Sequence, residues 1–225
     1  MAAKIIAFEG IDGSGKGTQS RILVDALREA GKRVALLSFP RYSDTRFGAA
    51  IGDFLNGRFG DLETVSPYLV SVLYAGDRFE SKALLEESVA NNDILVLDRY
   101  TASSIAHQGA KVDAAERGEI ISWIEDIEHG VFGLPKADLT VLLEVSIETS
   151  QKLIRKKAPR DYTDEEADLQ ESNVPYMTGV RDCYLELAKR DDWRTVNCED
   201  GSELKSMEAV AAEVLAAVKD TTDRA

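Results

Sequence analysis

The 225-residue sequence predicts an α/β fold, a five-stranded parallel sheet covered by helices on both faces, and three observations carry that prediction. Short runs rich in leucine and β-branched residues recur at KIIAFE from Lys4, RVALLSF from Arg33, ILVLD from Ile94, LTVLLEV from Leu139 and RTVNC from Arg194. Such near-continuous apolar runs suit strands buried on both faces. Longer amphipathic stretches separate them. The first run leads directly into a glycine-rich turn, GIDGSGKG from Gly10 to Gly17, the pattern of a phosphate-binding loop between a strand and a helix.

Each element follows in chain order. After the strand at Lys4, the residues Gly10, Gly13, Ser14, Gly15, Lys16, Gly17, Thr18 and Gln19 form the expected cradle for nucleotide phosphates. Glycines let successive N–H groups converge on one anion, the helix N-terminus adds partial positive charge, and Lys16 reaches the β- and γ-phosphates. Gly17 stands where a Ser or Thr usually holds magnesium, and Thr18 brings a hydroxyl one position late. The bland alternative is a tight strand-to-helix turn. From Gln19 to Ala30 the residues Ile22, Leu23, Ala26, Leu27 and Ala30 make a helical stripe, closed by Gly31. Thr64 to Asn91 reads as one helical run. The third strand ends in Asp98, at the sheet edge where ligands bind and where phosphate-loop proteins anchor magnesium. Asp98 is therefore the candidate metal ligand for a loop without the hydroxyl, although an acid there also suits a helix N-cap. Met207, Val210, Ala211, Val214, Leu215 and Val218 mark a last amphipathic helix, with KDTTDRA after it expected to fray.

The balance of 27 Lys and Arg against 40 Asp and Glu, a net charge of −13, argues against a nucleic-acid polymer or an anionic membrane as partner. A small anionic substrate is still allowed, because a local cluster of arginines overrules the global sign. Cys183 and Cys198 have neither metal-ligand spacing nor a framework of pairs, which fits a reducing cytosol. With the glycine loop reached so early and no long apolar run, neither a signal peptide nor a membrane span is expected, and the location is read as cytoplasmic. Residues 1–225 read as a single domain without repeats or linkers. One segment breaks the pattern: RKKAPRDYTDEEAD, residues 155–168, is basic and then acidic, which by itself describes a solvated helix end and loop.

Ordered blocks along most of the chain resemble the thymidylate kinases, within the nucleoside monophosphate kinases of the P-loop group. They are FEGIDGSGKGTQ, FPRY from Phe39, LYAGDRFE from Leu73, LDRYTASSIAHQGA from Leu97 and GLPKADLTVLLEV from Gly133. Adenylate kinases normally carry Pro where this loop has Asp12. The resemblance implies a three-layer P-loop fold with a small mobile lid, ATP with Mg2+, dTMP as acceptor, dTDP as product and a homodimer. Residue by residue, it implies that Phe39 lies in the segment that grips the acceptor phosphate, and that Arg41 and Arg99 bind that phosphate as charged forks. It gives Tyr74 a stacking role on thymine and Arg78 a base carbonyl. Asp12 would meet the deoxyribose hydroxyl or the metal, and Ser104, or its neighbour Ser103, would face the base. His107 falls where the family usually has an aromatic that crowds the sugar 2′ position, a departure that leaves ribose rejection open. Without the resemblance, Tyr74 reads as a core aromatic and Arg78 as a solvated face residue.

Residues 155–168 fall where monophosphate kinases carry their flap. Some thymidylate kinases place a catalytic arginine in the glycine loop, at the position of Gly13 here, and others in the flap. This chain resembles the second kind, with Lys16 and Arg99 joined in catalysis by Arg155 or Arg160, and Lys156 and Lys157 as weaker candidates. Alternatives are a kinase for another nucleoside monophosphate or small phosphorylated acceptor, or a nucleotide-dependent switch. The switch reading lacks an Asn-Lys-x-Asp motif to read guanine.

Overall fold

The computed structural model describes residues 2–62, 64–155, 170, 173–201 and 203–223. Strands β1 (Lys4–Glu9), β2 (Val34–Ser38), β3 (Ile94–Asp98), β4 (Leu139–Glu144) and β5 (Trp193–Asn197) form one parallel sheet in the order β2-β3-β1-β4-β5. The five apolar runs are these five strands. From β1 the chain crosses to the edge strand β2, and from the adjacent β3 it crosses past β1 to β4 on the other side. Connections that diverge in this way open a crevice at the carboxyl ends of the strands. Phe8 and Ser38 are both in register with Asp98, so β1, β2 and β3 end together beside that crevice.

The period of two in each strand divides the core. Ile6, Phe8, Ile94 and Val96 face one side, where they join Leu23, Val24 and Leu27 of α1 (Lys16–Glu29) and Val210, Val214 and Val218 of the C-terminal helix. Ile5, Ala7, Leu95 and Leu97 face the other, with Leu85 and Leu134. A helical layer on each face makes the three-layer arrangement.

Between β2 and β3 lie α2 (Arg46–Leu55), α3 (Pro67–Glu80) and α4 (Lys82–Asn91). The single helical run expected over 64–91 is thus two helices. Proline at the start of α3 sets its first turn, and the break falls at Ser81, whose hydroxyl is engaged by Arg41. After β3 come α5 (Thr101–Gly109) and α6 (Arg117–Glu125), the latter continuing as a π-helical turn over Asp126–Val131. α7 (Ile147–Ile154) follows β4, and α8 (Val174–Leu187) leads to β5. A short hairpin of β6 (Glu199–Asp200) and β7 (Glu203–Leu204) precedes α9 (Met207–Thr222). The tail expected to fray is helical as far as Thr222, because that side chain is buried and its hydroxyl donates to the Lys219 carbonyl. Among the described residues no helix is long and apolar enough to cross a membrane.

Candidate active site

The glycine loop leaves β1 and closes on the start of α1. Gly15 is the N-cap of α1, with φ 89° and no side chain, so it offers the first N–H groups of the helix no side-chain cap. Lys16 is buried and donates to the carbonyls of Gly10 at 2.8 Å and Ile11 at 2.9 Å, and it lies 3.5 Å from Ser14 Oγ. Those bonds hold its ammonium over the loop, where converging N–H groups and a cation favour phosphate. Gly13 explains itself by space. Its φ is 80°, and a β-carbon there would stand 2.5 Å from the Ser150 carbonyl oxygen of α7. Ser150 Oγ in turn donates to the Asp12 carbonyl at 2.6 Å, so α7 is fastened to the loop at two adjacent residues. An in-loop arginine has no room at this position.

Gly17 has a comparable cause. A β-carbon there would stand 3.0 Å from Asp98 Oδ2, so the carboxylate takes the space a side chain at 17 would need. Asp98, Lys16, Gly17, Thr18, Phe39 and Arg99 line a cleft of about 520 Å³. Among the described residues no three His, Cys, Asp or Glu side chains gather as a metal cage. Magnesium does not require one, because it keeps its waters and binds through one or two carboxylates together with substrate phosphates. Asp98 beside a phosphate cradle fits that donor set.

Arg99 follows directly, and it is the one non-glycine residue among those described with a positive φ, 68°. This conformation costs on the order of 1–3 kcal/mol and persists only where the surroundings impose it. Its guanidinium donates to Asp12 Oδ1 at 2.7 Å and to Ser103 Oγ at 3.0 Å. Burial opposes the charge, but Asp12, with Tyr184, Glu9 and Asp98 behind it, keeps the Arg99 pKa well above its ordinary value.

A second, smaller pocket adjoins the cleft, and Asp12, Tyr42 and Arg99 line both. Its far side carries Tyr74, Ser104, His107 and Gln108. Tyr74 lines this pocket and also packs against the cluster of Ile51, Phe54 and Val70. Burial, and next the nearby Arg99, lowers the His107 pKa to about 3, so the imidazole is neutral. Its Nδ1 lies 3.0 Å from the Tyr176 hydroxyl, which is also 3.0 Å from the His107 carbonyl. The hydroxyl has one proton and gives it to the carbonyl. The network therefore assigns the ring proton to Nδ1 and leaves Nε2 as an acceptor.

Arg78 is not on a solvated face. It is wholly buried, with Nε and Nη2 on the two oxygens of Glu128 at 2.7 and 2.6 Å, and Nη2 also on Ser104 Oγ at 2.6 Å. Burial works against its charge and Glu128 more than restores it, so its pKa is raised. It adjoins the pocket through Ser104. Glu128 comes from the π-helical turn, a kind of irregularity frequent at functional sites, and the sequence reading missed it. Gln108 was missed too. It is wholly buried in the pocket lining, yet neither its amide oxygen nor its nitrogen has a hydrogen-bond partner. Its spacing of four from Ser104 on one helix was the available signal.

Other expected residues stand apart from the cavities. Arg41 donates from Nη1 to Ser81 Oγ at 3.1 Å and pairs with Asp44 at 3.2 Å, while its neighbours Phe39 and Tyr42 line the cleft. Gln19 is buried on the far side of the loop and donates to the Met207 carbonyl at 3.1 Å, which ties α1 to α9. Arg155 is exposed at the C-cap of α7. Lys156, Lys157 and Arg160, and the lid from 156 to 168, lie outside the described residues.

A family model described as thymidylate kinase matches residues 8–209. The chain is 38% identical over 157 residues to a thymidylate kinase of Mycobacterium tuberculosis, covering 70% of this chain and 73% of that one. It is 35% identical over 155 residues to the human thymidylate kinase, covering 68% and 67%. A probable thymidylate kinase of Thermococcus onnurineus is 32% identical over 220 residues, 95% and 96% of the two chains. In fold the chain is similar to a solved thymidylate kinase from Candida albicans, with TM-score 0.76 and 24% identity over 100% of this chain and 94% of that one.

Proposed function

The chain belongs to the thymidylate kinase family and is a phosphotransferase acting on dTMP, and from that premise we propose how its residues divide the work. The donor is ATP, held in the larger cleft by Lys16 and the loop N–H groups. The acceptor dTMP lies in the adjoining pocket with its 5′-phosphate on Arg99. The observation that carries this reading is that cleft and pocket share Asp12, Tyr42 and Arg99, so two nucleotides bound there meet phosphate to phosphate at a fixed arginine.

The acceptor phosphate is already ionised, so the site needs no strong general base. Catalysis reduces to alignment and to neutralising charge on the moving phosphoryl group. Asp12 and Ser103 fix the direction of Arg99, and planar guanidinium suits two phosphate oxygens at once. Asp98, with Asp12 as the second candidate carboxylate, would hold magnesium, which would supply positive charge beside the donor phosphates. Arg41 joins the acceptor phosphate only by releasing Ser81 and Asp44. Arg155 or Arg160 brings further charge from the flap.

Tyr74 is the stacking surface for thymine. The unpaired amide of Gln108 presents one donor and one acceptor, the complement of the thymine N3–H and a neighbouring carbonyl, while Arg78 orients Ser104 beside it. Cytosine presents the reverse pattern, an acceptor at N3 beside an amino donor, so the amide discriminates by being held in the thymine-reading orientation beside Ser104. The buried thiols of Cys183 and Cys198 suit a reducing cytoplasm. One kinase domain working as a homodimer completes the reading, and sedimentation tests that last part. The central test is a coupled assay of ADP formation over a panel of nucleoside monophosphates. The reading expects the highest kcat/KM for dTMP and a large loss with dCMP, and a higher kcat/KM for any other acceptor would overturn it.

A further inference from the structure

Glu9 is the last residue of β1, wholly buried and lining neither cavity. Four donors nevertheless converge on its carboxylate. Oε1 accepts from the N–H of Tyr100 at 2.8 Å and of Ser103 at 3.1 Å. These belong to the N-cap and first turn of α5, and the N-cap residue Tyr100 makes no side-chain cap bond, so Glu9 caps that helix from a neighbouring strand. Oε2 accepts from Ser103 Oγ at 2.6 Å and from the Tyr184 hydroxyl at 2.8 Å. The strained corner is held by consecutive residues of one strand: Phe8 O takes the Arg99 N–H at 3.0 Å, and Glu9 takes the Tyr100 N–H that follows.

The Ser103 hydroxyl has one proton to give. With that proton drawn onto Glu9, the lone pairs of Oγ face Arg99 Nη1, 3.0 Å away. We propose that Glu9 is a positioning residue for phosphoryl transfer, setting the hydrogen-bond polarity of Ser103 so that Arg99 is held between Ser103 and Asp12, aimed at the acceptor phosphate. Burial raises the Glu9 pKa, but the Arg99 charge and donors on every side favour the carboxylate. The inference rests on the reading of Arg99 as the ligand of that phosphate.

Glu9→Gln tests it with almost no change of shape. To keep capping α5, the amide oxygen must face the two backbone N–H groups, which puts the NH2 against Ser103 Oγ and the Tyr184 hydroxyl; the 3.0 Å contact between those two hydroxyls takes only one of their two protons, and when Tyr184 donates there the Ser103 proton is turned toward Arg99. KM for dTMP should then rise about tenfold or more, with KM for ATP within about twofold of wild type. Ser103→Ala removes the acceptor without touching the cap and should raise KM for dTMP selectively as well. The double variant should be no worse than Ser103→Ala alone, because the reversed polarity then has nothing to act through, whereas a merely structural Glu9 would give losses that multiply. An unchanged dTMP KM in Ser103→Ala or in folded Glu9→Gln, multiplied losses, or equal losses for both substrates would overturn the inference. If Glu9→Gln fails to fold, Ser103→Ala decides alone. Arg99→Ala is the separate control: wild-type dTMP kinetics there would remove the underlying reading of Arg99 rather than the link to Glu9.

Discussion

Gly17 and Asp98 occupy one space between them, with a β-carbon on residue 17 standing 3.0 Å from Asp98 Oδ2. The loop gives up a hydroxyl and the strand end brings a carboxylate into its place. Asp98→Asn should therefore weaken the magnesium dependence of ATP binding, and Gly17→Ala should do the same by displacing the carboxylate. Calorimetric titration of ATP with and without Mg2+ measures this independently of turnover. An unchanged magnesium effect in both variants would put the metal elsewhere, with Asp12 next in line.

The Arg78–Glu128 pair predicts a stability effect larger than any on the surface. Both side chains are wholly buried, so Glu128→Ala leaves a guanidinium charge without its partner, a change that typically costs about 3–5 kcal/mol. For a chain of this size that is a fall in Tm of roughly 10 °C. Arg78→Ala should cost a similar amount, because it leaves the Glu128 carboxylate buried with the Thr101 hydroxyl as its remaining side-chain donor, and it also frees Ser104 and should erode the preference for dTMP over dCMP. Thermal melting and the ratio of kcat/KM values separate the two effects. Equal melting of wild type and Glu128→Ala would deny the pair its structural role.

His107 predicts a pH dependence with a definite sign. Its pKa, lowered by burial and then by Arg99 to about 3, lies below the ordinary 6.5 of an unfolded histidine. Between those values the unfolded chain binds a proton that the folded chain refuses, so this residue's contribution to stability is complete above pH 6.5 and is lost as pH falls toward 3. His107→Phe keeps an aromatic ring and cannot titrate. Chemical denaturation of both proteins from pH 7.5 to about 4.5 should show a shallower loss in the variant. Parallel curves would mean that the imidazole is charged in the folded protein.

The sheet was legible in the sequence because its central strands β1, β3 and β4 are buried almost throughout and read as continuous apolar runs, the edge strands β2 and β5 being only partly buried, and the loop because its glycines have few other uses. Ser81 was not legible as a break, since a serine between two helical stripes leaves their periodicity intact. Arg78 was readable as important only through the resemblance, and even then its buried partner was hidden: Glu128 lies fifty residues away in sequence and in a π-helical turn that has no simple period. Gln108 shares a helix face with Ser104, and only burial reveals that its amide is unmet. Gln19 was read from its neighbours in sequence alone. Proximity to the loop in sequence suggested phosphate, while the rotation of α1 turns the side chain toward Met207.

Gly13 carries the last prediction. Its φ of 80° and the Ser150 carbonyl 2.5 Å from a would-be β-carbon together bar any side chain, so the loop cannot supply the arginine that meets charge on the transferring phosphoryl group. Gly13→Arg should accordingly lower activity rather than raise it, by disturbing the contact between the loop and α7. The proposed function draws that charge from residues 155–168, through Arg155 at the C-cap of α7 or Arg160 beyond. Loss of the responsible arginine should lower kcat by ~10³ while changing either KM little, the mark of an interaction made mainly in the transition state. Lysine at that position should restore little, because a point charge does not span two phosphate oxygens as a planar fork does. Steady-state kinetics on Arg155→Ala, Arg160→Ala and the double variant, each checked for folding by melting, give the answer. Near-wild-type kcat in all three would mean that the flap is a cover only, and that Lys16, Arg99 and the metal manage the charge by themselves.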